Sequence, residues 1–171
     1  GATFAFSGPS SGWGGAGKGI LAYVKYLNDR GGIGGRKINY MALDDMYSPP
    51  KTLELTRKLV ESDSVSFIFG TLGTPTNSAT VKYLNQAKVP QVFILTGASK
   101  FANYQEYPYT TMGAPSYETE GRVFAKYIAD TLPNAKVALL YQNDDLGKDY
   151  LNAFKIQYGE AFGTKVNAAS Y

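Results

Sequence analysis

SFIFGTLGTPTNSA, residues 66–79, holds an apolar run, a glycine-punctuated turn and a helix start in one short stretch. Phe67, Ile68 and Phe69 fit a buried strand, Gly70 and Gly73 permit a tight turn, and Thr74 before Pro75 reads as an N-cap with proline at the first helical position. A helix entered this way leaves unpaired N–H groups, the positive end of its dipole and the Thr74 and Thr76 hydroxyls together beyond the strand's carboxyl end. Such a spot attracts a small anion. The plainer reading, in which Thr74 caps its helix and nothing binds, stands beside it.

The flanking sequence repeats this unit. Ala2 to Phe6 reads as a strand, Ser7 to Gly19 as a glycine-rich loop carrying the single tryptophan, Trp13, and Ile20, Leu21, Val24 and Leu27 share one face of a helix ending at Gly31 and Gly32. Ile38 to Leu43 is a second strand closed by Asp44 and Asp45, and Pro49-Pro50 opens a helix with Leu53, Leu59 and Val60 inward. After residues 66–79 and their helix comes a strand over Gln91 to Leu95, ending in the small-residue turn Thr96-Gly97-Ala98-Ser99. Strands alternating with amphipathic helices imply right-handed crossovers and a parallel sheet. In such sheets ligands bind beyond the carboxyl ends of the strands, the edge shared by the Trp13 loop, Thr74 and the 96–99 turn.

From Phe101 to Tyr117 the pattern loosens, with a short strand at Tyr109 to Met112, and marks the passage from one unit to another. Then follow a helix with Phe124, Tyr127, Ile128 and Leu132 on one face, a strand over Lys136 to Tyr141, a helix with Leu151, Phe154, Tyr158 and Phe162 on one face, and a strand from Val166. A helix with a single βαβ piece cannot close its own core, so the second unit reads as incomplete.

Composition excludes several chemistries. The 171 residues carry 17 basic and 14 acidic side chains, a scattered net +3, which does not argue for nucleic acid or an anionic membrane. Without cysteine there is no disulfide or thiolate, and without histidine the commonest general base and zinc ligand are missing. No apolar run approaches the length of a membrane span.

Four features carry more than one reading. Gly12, Gly14 and Gly17 fit G-x-G-x-x-G, and Gly12, Gly17 and Lys18 fit most of a P-loop. Residue 19 is a glycine with no hydroxyl for magnesium, and Ser7 to Ser11 intervene between strand and first glycine, where a dinucleotide fold turns at once. Asp44-Asp45 offers carboxylates for a metal or for acid/base work, but turn formation explains the pair more simply. Asp144-Asp145 reads as a helix cap. Tyr117 lies in the crossover between units, where either a ligand contact or core packing accounts for it.

SGPSSGWG (7–14), NDRGGIGGRKI (28–38), LDDMYSPPKT (43–52), LGTPTN (72–77) and YQNDDLGKDY (141–150) together give the chain its resemblance to the type I periplasmic binding proteins, specifically the branched-chain amino-acid (Leu/Ile/Val) receptor family of ABC importers. LGTPTN and YQNDDLGKDY are most similar to a subgroup that takes up aromatic and other organic acids. The resemblance implies an α/β fold with a parallel sheet flanked by helices: a first lobe over 1–114, a hinge crossing over 115–120 and an incomplete second lobe over 121–171. Family members are longer, so the chain is expected to be a fragment or one piece of a split receptor.

The site implied by the resemblance comprises Trp13, Leu72, Gly73, Thr74, Gly97, Ala98, Ser99, Tyr117 and Leu146. A ligand carboxylate is expected on the Thr74 hydroxyl and the N–H groups around Gly73 and Thr74, with the turn Gly97 to Ser99 supplying the Ser99 hydroxyl. Trp13 is the pocket-wall aromatic and Tyr117 falls in the hinge. Leu146 stands where many members have an aromatic residue, so the second lobe's wall is plainly apolar. The cysteine that some members carry near Gly73 is absent. The expected protein is a monomeric, periplasmic or extracellular binder, not an enzyme. It takes a small-molecule carboxylate, serves a membrane permease, and needs no cofactor, metal or nucleic acid. A ligand-sensing ectodomain of the same fold and a nucleotide-binding enzyme using the Gly12 to Lys18 loop are the alternatives.

Overall fold

In the computed structural model, which describes residues 1–171, five short strands form the first unit. β1 (Ala2–Phe4) pairs in parallel with β2 (Ala42–Asp44), Phe4 lying opposite Asp44. β3 (Ile68–Phe69), β4 (Gln91–Ile94) and β5 (Thr110–Met112) form a second parallel set in that order. The two sets meet at β1 and β3, where the Phe69 amide donates to the Gly1 carbonyl at 2.9 Å and the Gly1 ammonium donates to the Phe67 carbonyl at 3.0 Å.

Helices α1 (Gly15–Asp29), α2 (Pro49–Arg57) and α3 (Thr74–Gln86) make the crossovers between these strands. The second unit follows with α4 (Tyr117–Thr131), β6 (Val137–Tyr141), α5 (Asp145–Tyr158), the short α6 (Phe162–Lys165) and β7 (Val166–Ser170). β6 and β7 pair in parallel from Val137 opposite Val166 to Tyr141 opposite Ser170. The expected α/β architecture, a parallel sheet flanked by helices, is what the chain forms.

Apolar side chains bury in separate clusters around these strands. Phe4, Ala2 and Leu72 pack with Ile20 and Tyr40, and Leu59, Ile68 and Leu84 fill the space between α2, α3 and β3. Val81, Ile94, Ala98, Phe101 and Tyr107 close the far side of α3, while Ala125, Phe154 and Val166 form the core of the second unit.

The structure corrects several details. α1 begins at Gly15, inside the expected glycine-rich loop, after a 3-10 turn at Ser11–Gly14. Glycines at this junction let the chain lie close to β1 and the residues after it: a Cβ at Gly14, the last residue of the turn, would sit 2.6 Å from the Ala5 carbonyl oxygen, and one at Gly17 in α1 would sit 2.7 Å from the Phe4 ring. Leu21, expected on the inner face, is exposed. The second strand covers Ala42–Asp44 rather than 38–43. Phe67, expected in a buried strand, lies outside β3 and is 46% exposed.

The buried face of α4 also differs from expectation. Phe124, Tyr127 and Leu132 are exposed, while Gly121 and Ala125 are buried. α5 approaches so closely that a Cβ on Gly121 would lie 2.8 Å from the Ala153 Cβ. Close approach selects small residues for that interface and turns the large ones outward.

Candidate functional site

β3 ends at Phe69, and the chain turns through Gly70 and Gly73, both with positive φ, into α3. The N-cap position is Gly73, at φ 104°, rather than Thr74, which is the first helical residue, with Pro75 in the first turn. The Thr74 hydroxyl therefore does not cap the helix. It hydrogen-bonds the Thr96 hydroxyl at 2.7 Å and joins the turns after β3 and β4. The Gly73 N–H, expected as an anion donor, is taken by the Leu95 carbonyl at 3.2 Å.

The loop before α3 is held by side chains from the first turns of the helix. Thr76 donates its hydroxyl to the Leu72 and Gly73 carbonyls, and the Asn77 amide donates to the Gly73 carbonyl at 2.6 Å and the Thr71 carbonyl at 3.1 Å. Gln91, fully buried in β4, donates to Asn77 Oδ1 at 2.7 Å and orients that amide. A buried polar network satisfied in this way rigidifies what it holds.

In front of this loop lies a cavity of about 320 Å³. Of the expected residues it brings together Trp13, Leu72, Gly73, Thr74, Tyr117 and Leu146, and adds Tyr47, Leu95, Gln142 and Tyr171. Trp13 stands at the edge on the 3-10 turn, 68% exposed. Tyr117 opens α4 and stacks on Tyr150, ring centroids 5.6 Å apart. Largely apolar walls with a few converging polar groups are the usual character of a small-molecule site. A second depression, about 390 Å³ beside α3 and the loop before β5, is lined almost wholly by polar side chains such as Lys82, Gln86 and Glu106.

Tyr47 escaped the sequence reading. It follows β2, and Met46 and Tyr47 both adopt left-handed backbone, φ 54° and 61°. The Asp44-Asp45 pair holds that turn. Asp44 accepts from the Met46 N–H at 3.1 Å, from the Phe6 N–H at 2.9 Å and from the Ser7 hydroxyl; Asp45 accepts from the Tyr47 N–H and the Thr52 hydroxyl, each at 2.9 Å. The hydrogen bond from Ser7 leads the contributions that hold the Asp44 carboxyl below the usual carboxylate range. Burial pushes the Tyr47 phenol up to about 12, with the Asp144 carboxylate adding in the same direction. The available signal was positional: two acids closing a strand put the next residues on the ligand edge of the sheet.

The turn Gly97 to Ser99 does not line this cavity. Gly97 backs onto the crossing, since a Cβ there would lie 2.3 Å from the Pro115 carbonyl oxygen, and its own carbonyl accepts from the Tyr117 N–H at 2.7 Å. Ala98 is buried in the core, its N–H donating to the Thr96 hydroxyl at 3.2 Å. Ser99 donates its N–H and its hydroxyl to Asp149 of α5, both at 2.7 Å. Beside it Lys100 forms an ion pair with Asp145. Asp144 caps α5 by accepting the Gly147 N–H at 3.2 Å, as its sequence context predicts.

The whole chain, residues 1–171, matches the family model described as periplasmic binding protein. The chain belongs to this family, and its fold is that of the type I members, among them the branched-chain amino-acid receptors. It is 26% identical over 151 residues to the Leu/Ile/Val-binding protein homolog 3 of Brucella melitensis, covering 88% of this chain and 40% of that protein. The crystal structure of a substrate-binding periplasmic protein from Ralstonia solanacearum superposes with a TM-score of 0.87 at 26% identity, over 99% of this chain and 48% of that one. A solute binding protein of an ABC transporter from Rhodopseudomonas palustris, in complex with 3,4-dihydroxy benzoic acid, shares the fold with a TM-score of 0.78 at 23% identity, over 99% of this chain and 45% of that one. The chain thus spans less than half the length of these relatives. No helix is long and apolar enough to cross a membrane.

Proposed function

We propose that this chain belongs to an extracytoplasmic solute-binding protein of an ABC importer, which takes a small carboxylate with an apolar body between two lobes. Residues 1–114 form the first lobe, 115–120 the crossing and 121–171 the part of the second lobe present here. The observation that carries the reading is the cavity itself, in which Thr74 at the head of α3 faces an apolar enclosure of Trp13, Leu72, Tyr117 and Leu146. The helix dipole and the Thr74 hydroxyl favour an anion, and the enclosure suits a branched aliphatic or aromatic body. Gly73 lets the loop approach the ligand, while Gly97, Ala98 and Ser99 serve the junction of the lobes.

Closure over the ligand excludes water and presents a joint surface of both lobes to a membrane permease. The protein acts as a monomer, outside the cytoplasmic membrane, without covalent chemistry, cofactor or nucleic acid. The names of the Brucella relative and the Rhodopseudomonas ligand support a carboxylate as the common feature. Native mass spectrometry of the protein purified without added ligand, followed by denaturation, tests the reading. Release of a small amino or organic acid is the expected result, and release of a nucleotide would overturn it.

A further inference from the structure

Two non-glycine residues in left-handed backbone side by side are costly and persist where their surroundings over-determine them. Met46 and Tyr47 form such a pair. The surroundings are the carboxylates of Asp44 and Asp45, which accept the Met46 and Tyr47 N–H groups. Asp45 is itself buried and is fixed in turn by the Thr52 hydroxyl from α2. All of this effort aims one side chain. The Tyr47 ring lies against Gly73, where a Cβ would come within 2.5 Å of Tyr47 Cε2, so the ring's place exists only because residue 73 has no side chain.

There the ring lines the cavity together with Thr74 and Tyr117, the carbon that bears its hydroxyl 3.1 Å from where a Gly73 Cβ would stand. A phenol placed there has one proton to give. Burial and the nearby Asp144 keep that proton in place across the physiological range. The Thr74 amide is one of the donors that the helix presents at the same place. Tyr47 sets a further donor beside it in the cavity.

We propose that Tyr47 is a ligand-binding residue whose phenol O–H donates to the ligand's carboxylate at the head of α3, held in place by the Asp44-Asp45 turn and by the absence of a side chain at Gly73. The proposal rests on the reading that this cavity takes a carboxylate. It makes Tyr47 a discriminator of charge, because a phenol that gives its only proton gains more from an anionic acceptor than from a neutral amide oxygen.

The test compares wild type, Tyr47→Phe and Thr74→Val in the protein that carries this chain, by calorimetry and by the fluorescence of Trp13. The probes are L-leucine and 3,4-dihydroxybenzoate, each beside its carboxamide. Tyr47→Phe keeps the ring against Gly73, so its thermal midpoint stays near that of wild type. The expected result is about tenfold weaker binding of the acid that wild type binds, with its carboxamide changed less than about twofold. Equal weakening of acid and amide would assign Tyr47 a packing role only and overturn the proposal. Loss of acid binding in Thr74→Val with none in Tyr47→Phe would overturn it too and leave the carboxylate reading standing. If wild type binds neither acid, or binds acid and amide alike, the carboxylate reading fails and the role of Tyr47 falls with it.

Discussion

The carboxylate of Asp149 on α5 accepts both the backbone N–H and the hydroxyl of Ser99, each at 2.7 Å. A turn that in sequence reads as a receptor for a ligand's carboxylate is thus engaged by a carboxylate of the protein, and the engagement joins the first unit to the second. Hydrogen bonds to a charged group contribute roughly 1.5–3 kcal/mol, reduced where water reaches the pair. Asp149→Ala is expected to lower the unfolding free energy by about 2 kcal/mol, read by urea denaturation. Lys100→Ala removes a neighbouring ion pair whose side chains are 34% and 44% exposed. It should cost less than about 1 kcal/mol. Equal losses in the two variants would contradict this ranking.

Gly12 and Gly17 separate the packing account of the glycine-rich segment from a phosphate-binding one. Nothing lies within 4 Å of a Cβ built on Gly12, whereas one on Gly17 would meet the Phe4 ring at 2.7 Å. Gly17→Ala should destabilise by about 1–3 kcal/mol through overpacking. Gly12→Ala should leave the thermal midpoint unchanged. A nucleotide loop would instead show ATP or NAD binding that Lys18→Ala abolishes, and no such binding is expected.

Asp44 links the site to acid. Its hydrogen bonds from Ser7, Met46 and Phe6 lower its carboxyl in the folded protein. A depressed folded value means that its contribution is complete above the unfolded value of about 3.9 and is lost as pH falls through the lower folded one. The turn carrying Tyr47 should therefore hold from neutral pH down to about pH 4 and loosen below it. Amide exchange at Met46 and Phe6, whose N–H groups Asp44 accepts, followed across that range checks this. In Asp44→Asn the exchange should be fast already at neutral pH, and protection unchanged by the substitution would contradict the role given to Asp44.

Much of this arrangement was legible in the residues. The turn into α3 announces itself through Gly70, Gly73, Thr74 and Pro75, because glycine and proline act on the local backbone whatever packs around it. Asp144 was readable as a cap for the same reason. The buried face of α4 was not readable, since only the closeness of α5 makes Gly121 and Ala125 the inner residues in place of Phe124 and Tyr127. Tyr47 was hidden because its aim depends on left-handed backbone at two residues that seldom adopt it. The Ser99 contact was hidden because Asp149 lies fifty positions away in sequence.

Titration of wild type and Thr74→Val with a panel of small carboxylic acids, L-leucine and 3,4-dihydroxybenzoate among them, bears on the anion site at the head of α3. Replacing the hydroxyl by a methyl keeps the volume, removes the donor and breaks the bond to Thr96. A carboxylate held there should bind wild type and lose about tenfold or more in affinity in the variant. An acid that binds both proteins with the same affinity would show that the anion is held elsewhere.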